Sequence, residues 1–345
     1  MKSPMKYLIL VACSYLILLS CSSPSNVDEH LVFPIDVSEI YDDVIKGSQH
    51  PFWGGPIKVT ESGDFLSFQV SGSKDVIVID VKSRRVEKMY PNPPDSIGGM
   101  VYRYDPVSFV FIKKSEFFYL KNENQLIQIG DLLSEEKPYL IEGEKLSNPG
   151  KIIHLSDEEL LSYWRGSSSK QSPSSGGVFF TDLNKNSTKC IIPDTIIGSV
   201  ADLVAVNEKI YILEKYKPVI RVFDFTGKDL YTIELPKSEY LKYQKLERPT
   251  GFLKLTAEEK VASLEDYCLD ITQQGDTTAF LHHTYSVEDK SLKENYVLSL
   301  FADGKLQEKI LDFKPMNFSV DGGVYFFNET DSGQYLLKKP LNHFF

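Results

Sequence analysis

The segment DLVAVNEKIYILEKYKPVIRVFDFTGKDLYTIEL, Asp202 to Leu235, decides the fold. Asp202–Val206 is a short apolar-rich run, and Asn207-Glu208 supplies a turn. Lys209–Glu214 follows, then a second turn at Tyr216-Lys217-Pro218, then Val219–Phe225. Thr226-Gly227 breaks the chain again before Asp229–Leu235. Runs of five to seven residues separated by tight turns leave no room for a 3.6-residue apolar period. They read as one four-stranded antiparallel meander.

That unit recurs outward in both directions. Val222-Phe223-Asp224-Phe225-Thr226-Gly227-Lys228 is echoed by Ser299-Leu300-Phe301-Ala302-Asp303-Gly304-Lys305 and by Val78-Ile79-Asp80-Val81-Lys82-Ser83-Arg84. Looser echoes are Phe180-Thr181-Asp182-Leu183-Asn184-Lys185 and Phe118-Tyr119-Leu120-Lys121-Asn122-Glu123. With Asp80, Lys121, Asp182, Asp224 and Phe301 taken as equivalent, the spacings are 41, 61, 42 and 77. The short ones match a four-stranded propeller blade of about 40 to 50 residues. The long ones are assigned to insertions at Ser167–Gly177 and around Thr272–Asp276. The expectation is an all-β fold, a six-bladed β-propeller. Its blades fall at about 57–90, 101–133, 151–193, 200–236, 248–313 and 316–342, the last completed by an N-terminal strand at Leu31–Val37. Seven blades is the alternative, because 248–313 is long enough for most of two.

Composition agrees with a packed globular body. The 345 residues are 42% hydrophobic, 25% charged and 12% aromatic, which excludes collagen-like, disordered and polytopic membrane chains. A formal charge of -10 repels phosphate backbones, so nucleic acid is not an expected partner. The acidic residues are spread rather than blocked, as on a solvated surface.

The first residues read as a targeting segment. Lys2 and Lys6 precede an uncharged stretch of 13 residues, Tyr7 to Leu19. Crossing a bilayer takes about 20 apolar residues, so this has the length of a signal-peptide core instead. It ends in Leu18-Leu19-Ser20-Cys21, which resembles a bacterial lipobox whose cysteine is acylated and becomes the new N-terminus. Leu10-Val11-Ala12-Cys13 competes, but cleavage there leaves too short a core. The expected organisation is therefore 1–20 lipoprotein signal peptide, 21–30 flexible tether and 31–345 a single propeller domain. Lipid on Cys21 would place the protein in the cell envelope, at the outer membrane, on its periplasmic or surface side. Of the remaining cysteines, Cys190 and Cys268 are expected as separate buried thiols, with a disulfide as the alternative.

The lipobox, the repeat and the segment Pro94-Asp95-Ser96-Ile97-Gly98-Gly99 resemble uncharacterised six-bladed propeller lipoproteins of the DUF4221 group, with a TolB/NHL-like propeller. That resemblance implies an envelope propeller and no established activity, so it brings no catalytic residues to carry over; no cofactor is expected.

Individual motifs have plain readings. Nucleophile-elbow, zincin, Cys-x-x-Cys, dinucleotide and P-loop signatures are absent from the sequence. His282-His283 are neighbours in a strand and so point to opposite faces, one inward and one to solvent, not to one metal. Asp182-Leu183-Asn184-Lys185-Asn186 has alternating oxygen ligands, but Ser187 and Pro193 replace the glycine and glutamate of a calcium loop, so a β-turn is expected. Trp53 and Trp164 flank glycines in aromatic loops; packing between blades is the favoured account, and they are the first candidates if a ligand is bound. Thr256 to Asp266 fits a short inserted helix with Thr256 as N-cap and Glu259 closing a capping box.

Two functions fit. The favoured one is a non-catalytic binding or scaffold module for a protein, peptide or glycan of the envelope. The alternative is a channel enzyme, a glycan lyase, hydrolase or lactonase with a site assembled from several blades. Three or more ionisable groups converging at the central channel would favour the enzyme.

Overall fold

The computed structural model describes residues 151–345 apart from 157, 166–175, 186, 198, 244, 247–248, 250, 320 and 331–332. Before residue 151 it describes the strand backbone given below. Six four-stranded antiparallel sheets are present among the described residues. Sheet 1 spans 56–90, sheet 2 spans 109–140, and sheet 3 spans 148–193. Sheet 4 comprises Val200–Val206, Lys209–Glu214, Val219–Asp224 and Asp229–Glu234. Sheet 5 comprises Tyr267–Gln274, Thr277–Glu288, Ser291–Ala302 and Lys305–Leu311. Sheet 6 takes Pro315–Phe318, Val324–Thr330 and Gly333–Lys339, and its fourth strand is Ile35–Asp36, paired to Leu336 and Tyr335. The first strand of each sheet touches the first strand of the next, and Pro315–Phe318 touches Pro56–Ser62. This radial arrangement is a β-propeller, and the chain's N-terminal strand completes the sheet that its C-terminus begins.

Sheet 4 shows how the alternation becomes packing. Ile210, Ile212 and Phe223 join Leu161, Tyr163 and Val178 of sheet 3 in one cluster. Their neighbours Tyr211, Leu213, Ile220 and Val222 point the other way and meet Ile271 and Phe280 of sheet 5. A period of two therefore buries both faces, one against each flanking sheet. Each such buried aliphatic side chain contributes about 1.5–3 kcal/mol. The outermost strand, Asp229–Glu234, is exposed along most of its length, Leu230 and Tyr231 included.

Several expectations need correction. Lys121 ends the second strand of sheet 2, whereas Asp80, Asp182 and Asp224 end third strands. The true counterpart is Ile129, which ends Gln125–Ile129. Sheet 2 consequently lies at 109–140 rather than 101–133. Thr272–Asp276 is no insertion; it is the hairpin between the first two strands of sheet 5. The extra length of that repeat comes from two 12-residue strands and from the connection before Tyr267, so 248–313 holds one sheet, not two. Ser167–Gly177 falls almost wholly outside the described residues.

The connection contains the expected helix. In Ala257–Ser263 the Thr256 hydroxyl accepts from the Glu259 amide, and the Glu259 carboxylate accepts from the Thr256 amide. The two side chains satisfy two of the orphan donors at the helix start.

Gly227 closes the turn between the last two strands of sheet 4 with φ 85°. A Cβ there would sit 1.9 Å from the carbonyl oxygen of Ile191 in sheet 3. Gly227→Ala thus combines a disfavoured backbone with a backbone clash between neighbouring sheets. It is expected to lower the unfolding free energy by about 2 kcal/mol in urea titration.

Candidate functional site

The first strands of sheets 3, 4 and 5 each carry a charged residue just after a β-bulge. The register shifts fall between Pro149 and Lys151, Val200 and Asp202, and Cys268 and Asp270. A bulge re-aims the side chain that follows it. Here the three charges meet: Lys151 Nζ lies 2.8 Å from Asp202 Oδ2 and 2.8 Å from Asp270 Oδ1. Asp202 Oδ1 accepts from the Leu203 amide at 2.8 Å, and Asp270 Oδ2 accepts from the Phe318 amide of sheet 6 at 2.9 Å. All four carboxylate oxygens are therefore bonded, and the network ties four successive sheets together. Side-chain exposure is only 12% for Lys151 and Asp202 and 8% for Asp270. Burial alone would lower the Lys151 pKa, but the two carboxylates overcome it and hold the ammonium above its ordinary value.

Cys268 sits beside this network, its thiol donating to the Asp270 carbonyl at 3.3 Å. Burial, then the charges of Asp202 and Asp270, push its pKa well up, so it is a neutral thiol and a poor nucleophile. Cys190, at the other thiol position, is exposed rather than buried as expected, and both cysteines are free.

Cys268 also borders a small pocket of about 20 Å³ between sheets 4 and 5. Glu214 and Lys215 from sheet 4, Tyr243 and Asp266 from the connection, and His282 from sheet 5 form its walls. Cys268 and His282 are directly paired across the first two strands of sheet 5, so their side chains share a face.

The histidine pair follows the alternation but not the expected exposure. Both residues are buried, at 4% and 3%. His282 packs edge-on against Phe280 and Tyr243. His283 lies on the opposite face among Tyr267, Tyr285 and Tyr296, with Glu294 Oε2 3.5 Å from its Nε2. A propeller sheet is covered on both sides, so the half-buried strand assumed from sequence does not apply. Burial lowers the His282 pKa to about 3 and also lowers that of His283 against the pull of Glu294.

Trp164 belongs to a strand, Glu159–Arg165, instead of a loop, because pairing with Pro149 and Gly177 runs through it. It is fully buried, and its indole Nε1 donates to Ser162 Oγ at 3.2 Å. At 0% exposure it offers no open face for a ligand to stack on. Trp53 and Cys21 lie outside the described residues. The Asp182 segment makes the expected turn: Asp182 Oδ1 accepts from the Lys185 amide, and the Lys185 ammonium stands 2.5 Å from Oδ2. No group of three metal-ligating side chains occurs among the described residues.

A larger and more open groove, about 670 Å³, runs between sheets 3 and 4 where their inter-strand turns emerge. His154, Glu159, Asn207, Glu208, Asp224 and Thr226 line it. Asp224 is part of the turn itself, accepting from the amides of Thr226 and Lys228.

No protein-family model matches the chain, and no curated protein does. Solved structures do. A member of the DUF4221 family from Bacteroides vulgatus superposes with a TM-score of 0.52 at 10% identity, over 82% of this chain and 91% of that one. Hydrazine synthase of Kuenenia stuttgartiensis gives 0.48 at 13% identity, over 86% and 90%. The calcium-binding protein regucalcin from Agrobacterium tumefaciens gives 0.48 at 8%, over 83% and 91%. At these identities the likeness is one of fold, and the fold of this chain is the β-propeller.

Proposed function

We propose that the protein is a lipid-anchored envelope lipoprotein of the DUF4221 kind, whose six-bladed propeller is a non-catalytic binding module. Cys21 carries the lipid, residues 22–30 are the tether, and the partner is an envelope protein, peptide or glycan. The observation that carries the binding reading is the exhaustion of the Lys151–Asp202–Asp270 network. Three ionisable groups converge on the inner strands, as a channel enzyme would need, yet every carboxylate oxygen is bonded and the ammonium is shared between both acids. A general base needs a free lone pair and a pKa near neutrality. Lys151 is held as a cation above its ordinary pKa, and each oxygen of the two acids is already bound to a donor. Recognition then belongs to the exposed turns, which a rigid core positions. The groove between sheets 3 and 4 is the place proposed for it. Ring closure at six blades is supported by the cyclic contacts of the first strands.

Two readouts test this reading. Feeding cells an alkyne-tagged fatty acid is expected to label the wild-type chain and not Cys21→Ser. Envelope extracts passed over the wild-type protein are expected to yield a captured partner that Glu208→Lys fails to retain at unchanged urea midpoint. Unlabelled wild-type chain removes the anchor, and equal capture by Glu208→Lys removes the groove.

A further inference from the structure

The pocket between sheets 4 and 5 holds polar groups that the network beside it does not use. The Tyr243 hydroxyl, Asp266 Oδ1 and His282 Nδ1 are each buried without a hydrogen-bond partner. All three belong to residues that wall the same pocket. His282 is 96% buried, and burial holds its pKa well down, so it presents a neutral ring. Buried polar atoms are almost always paired, so three unpaired ones around one pocket call for a bound particle.

Backbone geometry points the same way. Tyr243 has φ 46°, a left-handed conformation rare for a bulky residue. Its neighbour Lys242 is held at both ends: its amide donates to Asp266 Oδ2 and its ammonium to the Val261 carbonyl. These bonds fix the connection and present the Tyr243 side chain to His282 at a ring-centroid distance of 6.3 Å.

The charge balance selects the ligand. Lys215, the cation on the pocket wall, is engaged 2.7 Å from Glu265 Oε2, while Lys217 stands 3.4 Å from Glu214. Asp266 Oδ1 has no such cation. With its proton on Nε2, neutral His282 offers an acceptor at Nδ1, and the tyrosine oxygen offers another. About 20 Å³ admits one particle the size of water, which needs roughly 10–15 Å³ on this measure. We infer that the pocket is a site for ammonium or the head of a primary amine, whose N–H groups bond Asp266 Oδ1, His282 Nδ1 and the Tyr243 oxygen. This site is independent of the proposed groove and of the lipid anchor.

The test is nitrogen NMR of the ¹⁵N-histidine-labelled protein during addition of ammonium chloride, with methylammonium, potassium and tetramethylammonium chlorides at matched ionic strength. Ammonium and methylammonium are expected to move the His282 Nδ1 resonance saturably; tetramethylammonium, which has no N–H, is not. Asp266→Asn and Tyr243→Phe are each expected to weaken the response about tenfold, as loss of a bond to a charged group does. Unfolding curves run on both variants establish that they are folded. An unmoved resonance means the pocket takes water only and overturns the inference. So does an equal response to tetramethylammonium or potassium, or a response unchanged in both variants.

Discussion

Lys151→Met is expected to lower the free energy of unfolding by about 3–5 kcal/mol at neutral pH, because it strands two buried carboxylates without their cation. Asp202 and Asp270 have side-chain exposures of 12% and 8%, so water replaces little of what the ammonium supplies. The backbone amides of Leu203 and Phe318 stay bonded to the two acids, but an amide carries no countercharge against like charges brought together. The pH dependence has a definite sign. The Lys151 pKa is raised in the folded state, so its contribution is complete below the unfolded value of 10.5 and is lost as pH rises through the higher folded value. A triple change that adds Asp202→Asn and Asp270→Asn should recover most of the loss, since removing a whole buried ionic set is often near neutral. Urea titrations of the three proteins decide it. A loss under about 1 kcal/mol in Lys151→Met would mean the network is not a staple and would return weight to a catalytic channel.

How much of this was legible in the sequence depends on range. Turn chemistry and strand alternation are local, so five of the six sheets fall close to where the repeats place them, and the Thr256–Glu259 capping box forms as read. Lys121 misled because an apolar strand followed by a charged turn looks the same at the end of a second strand as at the end of a third. The histidine pair misled because alternation gives direction and not cover: the sequence of one sheet does not say that Tyr267, Tyr285 and Tyr296 will close over His283. The ionic staple was missed because its members stand 51 and 119 residues apart. A signal for it existed. Lys58, Lys151, Asp202 and Asp270 each follow a register shift in the first strand of their sheet. A charge thus recurs at one slot of the first strand in sheets 1, 3, 4 and 5, which an alignment of the repeats would show. The unpaired atoms around the small pocket had no comparable signal, since Tyr243 and Asp266 come from the irregular connection between sheets.

Acid should destabilise the protein earlier than its carboxylates alone would, and His282 is the reason. Its pKa falls from 6.5 to about 3 because burial against Phe280, Tyr243 and sheet 4 strips water from the ring. A depressed folded pKa means that the unfolded chain binds the extra proton first. Stability attributable to His282 is thus present in full above pH 6.5 and declines as pH falls toward 3. The slope approaches 1.4 kcal/mol per pH unit, so about 2–3 kcal/mol should disappear between pH 6.5 and 4.5. Carboxylates titrate mostly below that interval, which leaves the window to the histidines. His283 adds to the slope in the same direction, though Glu294 beside it opposes the shift. His282→Gln keeps a polar side chain of similar size and cannot titrate. Its unfolding free energy should therefore be nearly flat across the window apart from the smaller His283 contribution. Urea titrations of wild type and variant at pH 6.5, 5.5 and 4.5 give the comparison directly. Converging curves as the pH drops would establish that His282 folds as the neutral ring; parallel curves would place its proton on the folded chain and remove the acceptor that amine binding needs.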